Sequence, residues 1–530
     1  MEKALEMGKT SVTGSFHLLI GVATSTVIMA IGTIILTRLM SPAEYGLYSV
    51  ALIPSLTITL FRDMGVNTAM TRYIANLKAA NKPTEVRDVI FAGLIFEIAV
   101  GLALSLLSIF LATFITSTIF HRPESTLLVS ISSATILSGS VIAAVQASFV
   151  GSERMKLNSL TIICQAIVKT IIGPVLVILA YGVLGAIIGY TLSFVAAGAF
   201  GLAILYFALI KPLRKTATRT SNISKTMKTL LVYGIPVSIA SVLGGILGQF
   251  YGFLMASSNS DLIIGNYQAA VNFSVLLTFF TVPIGTVLFP AFAKLDPQND
   301  RELLRTVFTS SVKFTSILLV PATIAMIILS GPMVSTLFGE RYAFAPFFLS
   351  LSVIGNLSAA LGSVSVGSFL VAIGETRRLM KQSALTLLIG VPLGFVLIPM
   401  FGVTGVILGS LFSGLPSMFW ALYWIWKHYQ TKADLISSAK ILSASGLAAF
   451  IAYASVNIVS LAEWIRLTIG VTVFLAGYIS IAPLIGAITK NDIVSLRVMF
   501  SNLGIVSRVL NVPLIVVEKI AVLRTKFFFH

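Results

Sequence analysis

Apolar runs of roughly 20 residues, each closed by a short charged or turn-rich cluster, recur along the whole chain, and a helix of that length crosses the hydrocarbon core of a bilayer. A spanning window places fourteen of them, at residues 14–38, 45–66, 89–113, 127–150, 157–180, 183–209, 229–257, 262–290, 307–330, 346–372, 383–400, 403–428, 437–460 and 464–488. The pattern predicts an all-α integral membrane protein of about 14 transmembrane helices joined by short connections.

Composition agrees: 57% hydrophobic residues, 10% charged residues and a mean hydropathy of +0.98 exclude a soluble cytosolic enzyme. In a soluble chain the net charge of +17 would suggest nucleic acid, but in a membrane chain such an excess gathers in cytoplasmic loops. With both termini cytoplasmic, 29 of the 36 basic residues fall on the inner side and four outside (Arg38, Arg122, Arg341, Arg466). Arg62, Lys169 and Lys313 remain within spans, and the segment Lys211 to Lys228, with six basic residues, is the strongest inner anchor. The charge is therefore topological, and no nucleic-acid partner is expected. The lone cysteine, Cys164, allows no intramolecular disulfide or CxxC metal site. The first apolar run, Phe16 to Leu36, ends in Arg38 rather than a small-residue cleavage site, which predicts a retained helix and N-terminus.

The chain also repeats itself. Tyr181 to Ser193 reappears as Phe401 to Ser413, with six identities in thirteen at an offset of 220. Gly46-Leu-Tyr48 matches Gly265-Asn-Tyr267 at 219, and Gly151-Ser-Glu-Arg154 matches Gly374-Glu-Thr-Arg377 at 223. Six helices separate the copies, so both keep one orientation, and a parallel repeat places a substrate cavity between two lobes that rock. The expected plan is two parallel six-helix lobes plus two C-terminal helices: an N-terminal lobe at 1–210, a basic cytoplasmic linker at 211–228 and a C-terminal lobe at 229–430. Two additional helices follow at 431–490, then a basic amphipathic tail at 491–530, suited to the anionic inner leaflet. Gly185-xxx-Gly189, Gly405-xxx-Gly409 and Gly244-xxx-Gly248 suit close helix packing, and Pro54, Pro174, Pro236, Pro283, Pro321, Pro392 and Pro416 permit kinks.

The run Leu36-Thr-Arg-Leu-Met-Ser-Pro-Ala-Glu-Tyr-Gly-Leu-Tyr48, followed by Asp63-Met-Gly-Val66, resembles the opening of a known family. It is similar to that of the polysaccharide/oligosaccharide flippases, the O-antigen-flippase-like lipid-linked oligosaccharide exporters of the multidrug/oligosaccharidyl-lipid/polysaccharide exporter superfamily. Tyr233-Gly-Ile-Pro236, Gly265-Asn-Tyr267 and Leu337-Phe-Gly-Glu-Arg-Tyr342 are similar at corresponding places, so the resemblance covers about residues 8 to 490. It implies flipping of a polyprenyl-phosphate- or pyrophosphate-linked oligosaccharide to the outer leaflet of the cell membrane, without ATP hydrolysis or cofactor, by a monomer working beside glycan-assembly enzymes. Many members carry an acidic residue midway along helix seven; here that stretch reads Gly248-Gln-Phe-Tyr-Gly252, which puts in doubt any ion coupling through such an acid.

Charge inside a bilayer costs several kcal/mol, so intramembrane ionisable residues are the first functional candidates. Lys169, twelve residues into the fifth span and about 18 Å deep, is expected to face the cavity and attract the lipid phosphate, with an ion pair to Glu97 as the structural alternative. Arg62 is the second phosphate candidate, while its neighbour Asp63 suits a turn or ion pair. Glu97, about 12 Å deep, is a partner for Lys169 or Arg62 or a proton acceptor. Gln165 and Gln249, with Gln146, Asn272 and Asn356, are candidates to bind sugar hydroxyls or neighbouring helices. Lys313 lies near enough to a helix end to snorkel, and Arg38 and Glu44 flank the first outer turn as topology anchors or gate residues. No HExxH or GxxxxGK[ST] motif occurs, and the four histidines (His17, His121, His428, His530) are scattered, so no catalytic or metal site is expected. Two rivals remain: a multidrug/cation antiporter of the same superfamily, which would call for acidic cavity residues, and a membrane-embedded glycan polymerase or ligase, which would call for a sizeable outer loop.

Overall fold

The computed structural model describes residues 2–216, 222–296, 299–458, 461–500, 515 and 517–520, so part of the basic linker and most of the C-terminal tail lie outside the described residues. Helix is the regular element throughout them, and the chain is a multi-pass membrane protein that separates into two compact units, residues 1–265 and 266–530.

The first unit contains α1 (Glu2–Leu39), α2 (Pro42–Thr59), α3 (Val66–Ala79), α4 (Pro83–Phe114), α5 (Thr126–Gly151), α6 (Met155–Leu176), α7 (Gly182–Leu205), α8 (Lys211–Thr216) and α9 (Ile223–Ser258), and the start of α10 (Asp261–Ala293). A capping box starts α2: Ser41 Oγ accepts from the Glu44 N–H, and the Glu44 carboxylate accepts from the Ser41 N–H at 2.7 Å. Glu44 thus serves its own helix. The expected second span, 45–66, is broken. The chain leaves α2 at Thr59, passes through Met64 and Gly65 at φ +43° and +73°, and starts again as α3, whose Val66, Ala69, Met70 and Ile74 are buried.

Nine helical stretches among the described residues are long and apolar enough to cross a membrane, or up to eleven if each of two bent pairs is one crossing. One of the nine, Met155–Leu213, has 59 residues, which as a straight helix would measure about 90 Å, far beyond a hydrocarbon core of about 30 Å. It folds back on itself instead: Leu179 and Ala180 leave the helical region, Gly182 turns the chain, and α7 returns along α6 with Gly189 against Gly173. The second unit repeats the device. Between α15 (Thr376–Phe401) and α16 (Val403–Tyr429), Gly402 has φ +58° and ψ −133°, against +50° and −133° at Gly182. These two glycines, 220 positions apart, hold a backbone conformation that L side chains rarely adopt, so the sequence repeat is also a repeat of turn geometry. Gly244 and Gly248 differ from the expectation of close packing, because no described atom lies within 4 Å of a methyl placed on either.

The second unit also holds α11 (Arg301–Ile328), α12 (Ser330–Leu337), α13 (Ala345–Val353), α14 (Ser363–Ala372), α17 (Leu435–Asn457), α18 (Glu463–Leu484) and α19 (Lys490–Phe500). A seam of small residues on α17, Ala444, Ala448 and Ala452, packs with Phe474 and Tyr478 of α18, and the Tyr478 hydroxyl donates to the Ile317 carbonyl of α11 at 3.0 Å. Lys313 differs from the snorkelling expectation. It lies twelve residues into α11 and forms an ion pair of 2.7 Å with Asp492. Ile493 and Val517 of the C-terminal segment are buried in the same core.

Candidate functional site

The five residues singled out as substrate-binding candidates, Lys169, Arg62, Glu97, Gln165 and Gln249, all lie in the first unit. Two of them meet where α2 breaks. The amides of Leu60, Phe61 and Arg62 bond back three residues, to Thr57, Ile58 and Thr59, and end the helix in a tightened turn. Asp63 then reaches the first turn of α3: its Oδ1 accepts from the Asn67 N–H at 2.9 Å and from Asn67 Nδ2 at 2.7 Å. The same Asn67 amide donates to Glu97 Oε1 at 2.8 Å, and Glu97 Oε2 lies 3.7 Å from Arg62 Nε.

Glu97 is fully buried fourteen residues into α4, about 21 Å from its start rather than the expected 12 Å, because the helix begins at Pro83. Its ion-pair partner is Arg62, and Lys169 is not within ion-pair distance of it. At 3.7 Å the contact is an ion pair and not a hydrogen bond, and Arg62 Nε and Glu97 Oε2 are both buried with no hydrogen-bond partner among the described residues. Nη1 borders Gly139: a methyl there would lie 2.8 Å from it and 3.6 Å from two ring carbons of Phe194.

Lys169 sits fourteen residues into α6, partly exposed, and no carboxylate among the described residues comes within ion-pair distance. Its Nζ lies 5.0 Å from the ring centroid of Tyr190, a cation–π contact. Gln165 is one turn earlier on α6 and also partly exposed. The adjacent Thr170 turns the other way, donating to the Ile28 carbonyl at 2.9 Å and tying α6 to α1. Gln249 on α9 has its Oε1 engaged by the Thr57 hydroxyl at 3.1 Å, which leaves its NH2 group for other acceptors.

Aromatic rings connect the two cations. Tyr190 and Phe194, four residues apart on α7, have centroids 5.1 Å apart, and Tyr48 of α2 meets Tyr190 edge-on at 6.3 Å. Lys169 stands at the Tyr190 end of this pair and Arg62 at the Phe194 end. The set supplies two cations with donor capacity to spare and ring faces between them, a chemistry suited to phosphate oxygens and the apolar faces of sugars. Sequence reasoning missed Asn67, Tyr190 and Phe194. The spacing of Tyr190, inside the repeated segment, and Phe194, just after it, and Gly65 as a helix breaker, were the signals present.

The family model described as "Polysaccharide biosynthesis protein" matches residues 11–296, more than half of the chain. A probable low-salt glycan biosynthesis flippase of Haloferax volcanii is 20% identical over 177 residues, 33% of this chain and 37% of that one. A lipopolysaccharide biosynthesis protein of Escherichia coli K12 is 30% identical over 228 residues, 38% and 45%. The chain thus spans less than half the length of these curated relatives. Among solved structures, the inward closed conformation of a lipid II flippase superposes with a TM-score of 0.69 at 16% identity, over 87% of this chain and 97% of that one, which shows the fold.

Proposed function

The chain belongs to the polysaccharide biosynthesis protein family, and from that premise we propose that it moves a polyprenyl-phosphate- or pyrophosphate-linked oligosaccharide from the cytoplasmic to the outer leaflet for cell-surface glycan assembly. The observation that carries this reading is Lys169, a partly exposed cation deep in a spanning helix with an aromatic ring and no carboxylate beside it. Nothing inside the described protein neutralises it, so an anionic cargo is the charge it is built to meet. Arg62 is the second phosphate contact, held in place by Glu97, and Gln165 and Gln249 bond sugar hydroxyls. The chain is a transporter and not an enzyme. It works as a monomer by alternating access between lobes at 1–210 and 229–430 of a frame of about fourteen helices, beside the enzymes that build the glycan. It resides in the plasma membrane with both termini, and the basic segment 211–228, cytoplasmic.

The test is translocation of a lipid-linked oligosaccharide in reconstituted vesicles. Wild type and Lys169→Arg flip the substrate, whereas Lys169→Ala loses most of the activity. Unchanged flipping by Lys169→Ala removes the role of that lysine, and cation-dependent drug efflux without glycan flipping replaces the reading with an antiporter.

A further inference from the structure

One end of the first unit carries a second cationic feature, separate from the Lys169 and Arg62 cluster. Three connections meet there: α3 to α4, α5 to α6, and the segment by which α7 passes into α8. Between them is a cavity of about 440 Å³, within the range of small-molecule sites. Lys78, Lys82 and Arg154 line it on one side and Val86, Leu209 and Leu213 on another, and no carboxylate lines it.

The cations are not equally engaged. Lys78 Nζ donates to the Ser152 carbonyl and to Glu153 Oε2, both at 2.8 Å, which leaves one of its three protons. Lys82 pairs with Glu85 at 2.9 Å on an exposed surface, where such pairs exchange readily with other partners. Arg154, exposed, has no ion pair among the described residues. The depth of the cavity is marked by its neighbours. Tyr206 and Phe207, just before Leu209, are 41% and 65% exposed, and Lys211 stands over the Phe207 ring at 5.9 Å. Exposed aromatics followed by a lysine at the end of a spanning helix mark the level of the lipid headgroups.

We propose that this cavity is a binding site for an anionic phospholipid, its phosphate held by Arg154, Lys78 and Lys82 and its first methylenes lying on Leu209 and Leu213. A basic pocket between helices, open at headgroup depth and backed by an apolar wall, matches both parts of such a molecule. A soluble anion would use only the first part. The site holds a resident lipid of the surrounding membrane and is independent of the transported cargo.

The experiment is native mass spectrometry of the full chain released from neutral phosphatidylcholine nanodiscs doped with phosphatidylglycerol. Wild type retains phosphatidylglycerol in preference to phosphatidylcholine. Arg154→Gln lowers that retention roughly fivefold, as expected for one charge near the membrane surface. Arg154→Lys preserves it, as does Lys156→Gln, a neighbouring exposed charge that does not line the cavity. Equal loss in Arg154→Gln and Lys156→Gln, or none in Arg154→Gln, overturns the proposal. So does displacement of the lipid by millimolar inorganic phosphate, which would make this an ion site. Lys169→Ala leaves retention intact, and its loss there would place the counted lipid in the transport site instead.

Discussion

Gly46 and Gly265 lie back to back: a methyl on Gly46 would collide with the Asp261 carbonyl oxygen, and a methyl on Gly265 with that of Pro42. The two residues are 219 positions apart on the diagonal of the internal repeat, so equivalent positions of the two copies touch each other, and a side chain on either would run into the backbone of the other helix. Gly46→Ala or Gly265→Ala should therefore destabilise the protein by about 1–3 kcal/mol, the usual cost of overpacking. Gly244→Ala, with no described atom within 4 Å, should stabilise α9 by about 0.5–1 kcal/mol. Thermal unfolding of the three variants in one detergent checks the contrast, and equal shifts would refute the close approach.

The Arg62 and Glu97 pair predicts non-additive stability effects. Removing one member of a buried pair leaves the other charge uncompensated, at about 3–5 kcal/mol, and the 14% exposure of the Arg62 side chain favours the lower end. Glu97→Ala is expected to be worse than Arg62→Ala, since it also deprives Asn67 of an acceptor. The double variant should recover part of the loss. A double-mutant cycle of unfolding midpoints measures this, and strict additivity would show that the two side chains do not interact.

Asp434 gives a pH dependence. It caps α17, accepting from the Ser437 hydroxyl at 2.6 Å and from the Ser437 and Ile436 amides at 3.1 Å, and these bonds hold its carboxyl below the usual carboxylate range. A lowered folded-state pKa means stabilisation that is complete above the unfolded value of about 3.9 and disappears as pH falls through the folded one. Asp434→Asn should change little at neutral pH, because Asn caps nearly as well, and should lose less than wild type does as pH falls from about 4 through the lower folded-state value. Parallel acid limbs in the two proteins would count against the cap.

How much was legible beforehand depends on the range of each interaction. Hydropathy gave the membrane helices, because a spanning run signals itself locally, and the repeat at Gly182 and Gly402 showed because one turn geometry demands glycine twice. The break at Leu60 to Gly65 was hidden by the apolar residues on either side of it, so Arg62 was placed on a helix that ends at Thr59. Lys313 looked able to reach solvent, yet it pairs with Asp492, 179 positions later, which no local pattern reports. Glu97 had two possible partners in sequence, and only the packing of α4 against the broken second span chose Arg62.

Tyr190 is the ring under Lys169, with the centroid 5.0 Å from Nζ, and it carries the last prediction. Its face can hold the lysine before cargo arrives and offer an apolar platform for a sugar afterwards, and both roles need the ring rather than the hydroxyl. Tyr190→Phe should therefore flip lipid-linked oligosaccharide within about twofold of wild type. Tyr190→Leu removes a cation–π interaction of about 0.5–2 kcal/mol, so transport should fall roughly two- to thirtyfold. Phe194→Leu, at the Arg62 end of the same pair, should have an effect of the same sign. The measurement is the initial flipping rate in vesicles at matched protein content. If Tyr190→Phe loses as much as Tyr190→Leu, the hydroxyl is what the cargo meets; if neither loses activity, the aromatic pair lies off the transport path.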